Sequence, residues 1–250
     1  MPTRFFALLL PYWLLGLVAA DGDGDGAVER DKQALAPCRS LVGEWRGVGQ
    51  PKRGSTRGAW TEQSQWSWSF AEGRAELRAE IDDGHFFGLL QLRPGDEPGE
   101  FVLLATPLVA GDTKSTVAPR RFRGEYRDGT LVVTAEQATA GQPARITIRL
   151  VAGGDRLVVL YEQATGEESF SRLAEVASTR RGSSFATAAA AGRECVVTGG
   201  LGTIAVEYDG RTYYVCCGGC REAFNDDPQG VLDDYRQRKA AQREAKENRR

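Results

Sequence analysis

Gln65-Trp66-Ser67-Trp68-Ser69-Phe70 alternates large apolar with small polar residues without a break. Successive side chains of a strand point to opposite faces, so Trp66, Trp68 and Phe70 share one face and Gln65, Ser67 and Ser69 the other. Residues 145–150 repeat the pattern, with Ile146, Ile148 and Leu150 inward and Thr147 and Arg149 outward. Around these two stretches, further short strands are expected at 75–81, 86–92, 101–105, 121–126, 130–135, 157–163 and 168–173. Pro94-Gly95-Asp96, Asp128-Gly129, Gly153-Gly154 and Thr165-Gly166 separate them with turn chemistry. Many short strands at regular spacing, with few helical segments, imply a closed barrel or a sandwich. The chain is therefore expected to be mainly β and antiparallel.

The start of this region narrows the choice. Leu41-Val42-Gly43-Glu44-Trp45-Arg46-Gly47-Val48-Gly49 contains a GxW step continued as GxWxGxG. It resembles the first strand of lipocalin-like (calycin) barrels, and the double extension looks most like the nitrobindin-like branch. The resemblance implies one lipocalin-like β-barrel over residues 36–177, with the tryptophan closing one end and the glycines letting the strand bend. Nitrobindin-like barrels are associated with haem held by a late histidine. The single histidine here, His85 in Gly84-His85-Phe86-Phe87, comes early, so haem is not expected. His85 reads instead as a hydrogen-bonded or surface strand residue. Such a barrel can hold a small apolar ligand or be filled by Trp60, Trp66, Trp68, Phe86 and Phe87; the sequence leaves both open.

Four of the five cysteines lie in residues 195–224: Cys195, Cys216, Cys217 and Cys220. Ile204, Val206 and Tyr208 alternate with smaller or polar residues, Asp209-Gly210 supplies a hairpin turn, and residues 212–215 return as a second strand. The hairpin brings Cys195 back towards Cys216 and Cys220, where strand gives way to helix. Thiolates prefer zinc, Cu(I) and similar soft ions, and a helix N-terminus favours their deprotonation.

This stretch resembles the YHS domain, kin of the TRASH metal-binding domains. The matching residues are Cys195, Val197-Thr198-Gly199, Tyr208 with Gly210, Tyr213-Tyr214, Cys216, Gly219-Cys220, Phe224 and Asp227-Pro228. Val196 stands where the family usually has proline, Gly200 where methionine is common, and Cys217 where serine is usual. The resemblance implies a small α+β module (a β-hairpin plus a helix) over residues 193–236, and heavy-metal handling as its activity. Cys195, Cys216 and Cys220 are the candidate metal ligands, with Cys217 as a fourth or alternative one. Two other readings compete. Cys217-Gly218-Gly219-Cys220 is a CxxC, open to thiol redox chemistry or to a plain disulfide, although no thioredoxin-like βαβ pattern surrounds it. Alternatively the barrel binds a small apolar ligand and the cysteine module is an accessory.

The rest of the chain frames these two parts. Its 250 residues suit one large or two modest domains, and a net charge of −2 gives no drive towards nucleic acid or anionic membranes. Residues 1–20 read as a signal peptide: Arg4 precedes an apolar run over 5–18, and Val18-Ala19-Ala20 offers a cleavage site near Ala20. That run, broken by Pro11, is shorter than the roughly 20 residues a membrane span needs, so no stable membrane insertion is expected after cleavage. A secreted or periplasmic location follows. Asp21-Gly22-Asp23-Gly24-Asp25-Gly26 opens like a calcium loop but has Lys32 where a bidentate Glu is required, so residues 21–35 read as a linker. Cys38 reads as a small buried side chain near the barrel mouth. Residues 178–192 read as an interdomain linker and 237–250 as a basic, solvated C-terminal helix or tail. No Ser-His-Asp constellation or glycine-rich phosphate loop emerges, and a non-enzyme is expected. The expectation is thus an exported protein binding zinc or copper for sensing, delivery or sequestration, with a protein partner in metal handling.

Overall fold

The computed structural model describes residues 23–108, 117–166, 168–181 and 193–248. The signal stretch at 1–20 and most of the linker at 178–192 lie outside the described residues. Ten antiparallel strands close into a barrel: β1 (Gly43–Gln50), β2 (Trp60–Ala71), β3 (Arg74–Asp82), β4 (Phe87–Pro94), β5 (Glu100–Pro107), β6 (Arg120–Arg127), β7 (Thr130–Ala135), β8 (Arg145–Val151), β9 (Arg156–Ala164) and β10 (Phe170–Arg180). Each strand pairs with its neighbours in sequence, and β10 closes the circle on β1 through Trp45↔Arg180 and Gly47↔Ser178. Closure leaves no edge along most of the wall, the usual solution for an all-antiparallel sheet.

The alternation read from the sequence sets the interior. Trp66, Trp68, Leu77, Phe87, Leu92, Leu103, Phe122, Leu131, Ile146 and Ile148 are all buried. The barrel interior is thus occupied by its own side chains, with Phe87 packing edge-on against Phe122 at 6.1 Å and both lying fully inside. Gly49 sits under the Trp60 ring, where any Cβ would overlap the indole. This close approach is the physical use of the last glycine in GxWxGxG.

A 3-10 turn at Ala36–Leu41 lies across one end of the barrel. Trp45 Nε1 donates to Leu41 O at 2.8 Å, and the Arg180 guanidinium stacks on the Trp45 ring at 4.1 Å. Arg180 also donates to Val42 O (2.7 Å) and Ser40 O (2.6 Å), tying the first and last strands to the plug. Cys38 is buried in this plug, and its burial pushes the thiol up to about 12. At the opposite end Trp60 Nε1 donates to the buried Glu62 at 2.7 Å. His85 is exposed in the turn between β3 and β4, not in a strand, and its ring stacks on Trp60 at 4.6 Å.

Three boundaries differ from the sequence expectation. Residues 21–35 are not wholly a linker: Asp23–Ala34 forms a helix, α1, held against β3. Asp31, 5% exposed, accepts from Arg74 Nε (2.6 Å), Arg74 Nη2 (3.0 Å) and the Ala75 amide (3.0 Å), and Leu35 beside it is fully buried. One buried carboxylate so satisfied fixes a helix whose composition alone looks solvated. The last barrel strand runs to Arg180, past 177, because β1 is there to pair with it, while a bulge between Arg172 and Ala174 breaks the alternation that would have signalled the continuation. Finally, the terminal helix is one element rather than a module end plus a tail.

That C-terminal region comprises a hairpin, β11 (Ile204–Tyr208) and β12 (Arg211–Val215), then α2 (Gly218–Asp226) and α3 (Pro228–Glu247). Asp227 caps α3, accepting from the Gly230 amide at 2.9 Å, with Pro228 in the first turn. Val206, Val215, Phe224 and Leu232 form the small core, continuous with that of the barrel. No described helix is long and apolar enough to cross a membrane.

The junction follows from unequal strand lengths. Pairing of β1 with β2 stops at Gly43↔Trp66, so residues beyond Trp66 on β2 have no β1 partner. The N-terminus of α2 occupies that edge. Gly219 lies so close to Trp68 O that a Cβ would overlap the carbonyl oxygen.

Candidate metal centre

Each cysteine of the candidate set is delivered by a different local device. Cys195 opens a tight knuckle: its amide donates to Gly200 O (2.7 Å), and the Gly199 amide donates back to Cys195 O (2.8 Å). The knuckle is pinned to the hairpin by Val196 N→Tyr214 O (2.9 Å) and Thr203 N→Val215 O (2.9 Å). Cys216 follows β12 directly, Cys217 is the N-cap of α2, and Cys220 lies in its first turn.

Cys195, Cys216 and Cys220 place their sulfurs within 4.8 Å of one another. A metal–sulfur bond of about 2.3 Å places three sulfurs around one ion roughly 4 Å apart, so a set within 4.8 Å needs only a small contraction to close on a single ion. Cys195 and Cys220 are fully buried and Cys216 is half-buried, which leaves one ligand reachable from solvent. An all-sulfur donor set without histidine or carboxylate suits a soft ion. The described residues hold no other group of this kind.

Cys217 is placed differently. Its sulfur is 3.9 Å from Cys216 Sγ but stands outside the mutually close trio. It accepts a hydrogen bond from the Trp68 amide at 3.3 Å, the N–H that β2 exposes where β1 has not yet begun. The barrel wall therefore reaches into the cysteine cluster.

The four thiols share protons as one set. Hydrogen bonds from Cys216, then Cys220, hold Cys195 well below the ordinary thiol value, and the same two neighbours lower Cys217. Cys216 is raised, chiefly by its bond to Cys195, and burial raises Cys220. Negative charge thus gathers on Cys195 and Cys217 at the positive end of α2. Thr198 Oγ1 lies 3.6 Å from Cys216 Sγ and adds a polar neighbour on the open side.

The surrounding shell comes largely from α3. Arg238 donates to Val196 O (2.8 Å) and Val197 O (3.4 Å), and Lys239 pairs with Glu194 at 2.9 Å. These two cations of the basic helix are spent on the knuckle rather than offered to solvent. Phe224 packs against Tyr213 (5.9 Å) and Tyr208 (6.3 Å), joining α2 to both hairpin strands. All five cysteines are free thiols, and Cys38, in the barrel plug, is not a member of the close trio.

The sequence brought out every thiol of this site and named Gly219 within the module's pattern, but not the contact of Trp68 with the cluster, nor Arg238 or Lys239. The early stop of β1 against β2 was the one signal for the Trp68 contact, and it appears only once strands are paired. The chain matches no family model and no curated protein. A crystal structure of Rv2717c from M. tuberculosis is similar over 59% of this chain and 97% of that one, with 14% identity and a TM-score of 0.37.

Proposed function

We propose that this is an exported, non-enzymatic metal-binding protein whose C-terminal module, of YHS type, holds a soft heavy-metal ion for sensing, delivery or sequestration. The observation that carries the reading is the convergence of Cys195, Cys216 and Cys220 within 4.8 Å, two of them buried and one half-open. Three thiolates provide complete trigonal coordination for Cu(I); zinc would draw a fourth ligand from water or a neighbouring group. A single half-buried ligand suits an ion that must be handed on, because an incoming thiol attacks where solvent reaches. The barrel, of lipocalin type, serves as the scaffold on which the module is mounted.

The test is metal content beside free-thiol count on protein purified without oxygen or added chelator. Stoichiometric copper or zinc, lost in a Cys195→Ser, Cys220→Ser double variant, is the expected outcome. Metal-free protein with its C-terminal cysteines paired as a disulfide would overturn the proposal. Affinity should also fall as pH is lowered, since protons compete for the thiolates.

A further inference from the structure

One edge of the thiol triangle is shorter than a shared ion would set it. Sulfurs bound to a single ion at about 2.3 Å stand roughly 4 Å apart. Cys216 Sγ and Cys220 Sγ stand 3.5 Å apart, at contact distance. A disulfide bond of about 2.05 Å is reached if each sulfur moves by less than roughly 1 Å. The two thiols differ in access: Cys216 is half-buried, whereas Cys220 is fully buried. Cys217, which the CxxC spacing would pair with Cys220, stands outside the close trio, its sulfur held at the barrel edge by the Trp68 amide at 3.3 Å.

We infer that Cys216 and Cys220 are a redox pair that discharges the metal site: a small-molecule disulfide joins the two sulfurs, and the ion is released. The inference rests on the metal reading above and adds its regulation. In the loaded site both sulfurs are thiolates, because the ion has displaced their protons. The Cys216 thiolate, the one that solvent reaches, attacks a sulfur of the incoming disulfide. A bond from Cys216 Sγ to that sulfur forms, the incoming S–S bond breaks, and one small thiolate leaves. The Cys220 thiolate then attacks Cys216 Sγ, closing the internal bond and expelling the second small thiolate. The cysteine pair loses two electrons, the small disulfide gains two, and the expelled thiolates take protons from water. Metal binding needs thiolate sulfur, so of the trio only Cys195 is left as a ligand and the ion departs. A dithiol reverses the exchange and restores the site.

The test treats reduced full chain, loaded with Cu(I) and in parallel with Zn(II), with oxidised glutathione in the absence of oxygen. A colorimetric chelator counts the released ion, and peptide mass mapping after alkylation of the remaining thiols locates the new disulfide. Far-UV circular dichroism monitors the barrel in every variant. Wild type should release its ion stoichiometrically, form the Cys216–Cys220 bond, and recover the site when dithiothreitol and metal are added. Cys217→Ser should map to the same bond, since Cys217 is not in the pair. Cys220→Ser should hold glutathione on Cys216 instead of closing an internal bond. Should either serine variant fail to fold, the alanine variant is read the same way. An internal bond mapped to Cys217 or to Cys195 would overturn the assignment of the pair. Ion retained with no disulfide formed would overturn the redox release while leaving the metal reading intact. A reduced chain that binds neither ion would overturn the metal reading and the release with it, whereas the pair is decided by the disulfide map alone.

Discussion

The barrel and the cysteine module achieve order by opposite means. The barrel pairs ten strands into a closed circuit and buries Trp45, Trp66, Trp68, Phe87 and Phe122 at 2% exposure or less. The module pairs two strands, and Phe224 is its one fully buried aromatic among the described residues. A lone hairpin is marginal in water, and small domains commonly need a metal, a disulfide or a neighbour. This module has four thiols at its centre and the unpaired edge of β2 at its flank. The difference teaches that the barrel should fold without metal, whereas the module depends on its ligands and on its mounting.

The contrast breaks most severely from the barrel side. Trp66→Ala should cost about 3–5 kcal/mol, the usual cost of emptying a core of a large aromatic. Denaturant unfolding should show one lowered transition that takes the metal site with it. A variant in which the barrel unfolds while the module keeps its metal would show that the two are independent.

The junction is the next lever. Gly219→Ala places a methyl group against the Trp68 carbonyl and should push α2 from the β2 edge at about 1–3 kcal/mol. Metal affinity is expected to fall about 10- to 100-fold, the range for losing an outer-shell support. Amide exchange should quicken in α2 but not in β5–β8. Unchanged affinity would mean that the mounting is incidental to the site.

A smaller effect is expected where α3 clamps the knuckle. Arg238→Ala removes the donors to Val196 O and Val197 O and should cost about 1 kcal/mol, read as faster exchange in residues 195–200 and a modest loss of metal affinity. Exchange in β5–β8 should not change.

The mildest comparison sets the two kinds of thiol against each other. Cys38 is raised by burial from 9.0 to about 12, so the fold favours its protonated form. With the folded value above the unfolded one, its contribution to stability is complete below pH 9 and is lost as pH rises through about 12. Between those limits wild type should lose stability more steeply than Cys38→Ala, measured by denaturant titration across alkaline pH. Near neutral pH alkylation of the native protein should fall within the cysteine cluster, where Cys195 and Cys217 are lowered, while Cys38 stays protected.

Much of this molecule was legible in the chain. Period-two alternation in Trp66-Ser67-Trp68 and Ile146-Thr147-Ile148 assigns faces, because a strand has only two, and turn residues mark where strands end. Cysteine chemistry is likewise local: thiols flanking a hairpin and opening a helix mark a candidate soft-metal cluster, with thiol redox or a disulfide as the competing readings. What stayed hidden was everything that depends on which elements meet. Asp31 belongs to a buried ion pair only because α1 lies on β3, and β10 continues to Arg180 only because β1 is there to receive it.

The sequence by itself determined a mainly β, antiparallel protein with aromatics aligned on one strand face and a cysteine cluster after it, since periodicity and residue chemistry are written residue by residue. Only the tertiary structure decided that the barrel reaches into the cluster. The Trp68 amide meets Cys217 because β2 outruns β1, and an unpaired backbone N–H at a buried edge must find an acceptor. That requirement spans 149 positions of chain, a distance no local pattern encodes.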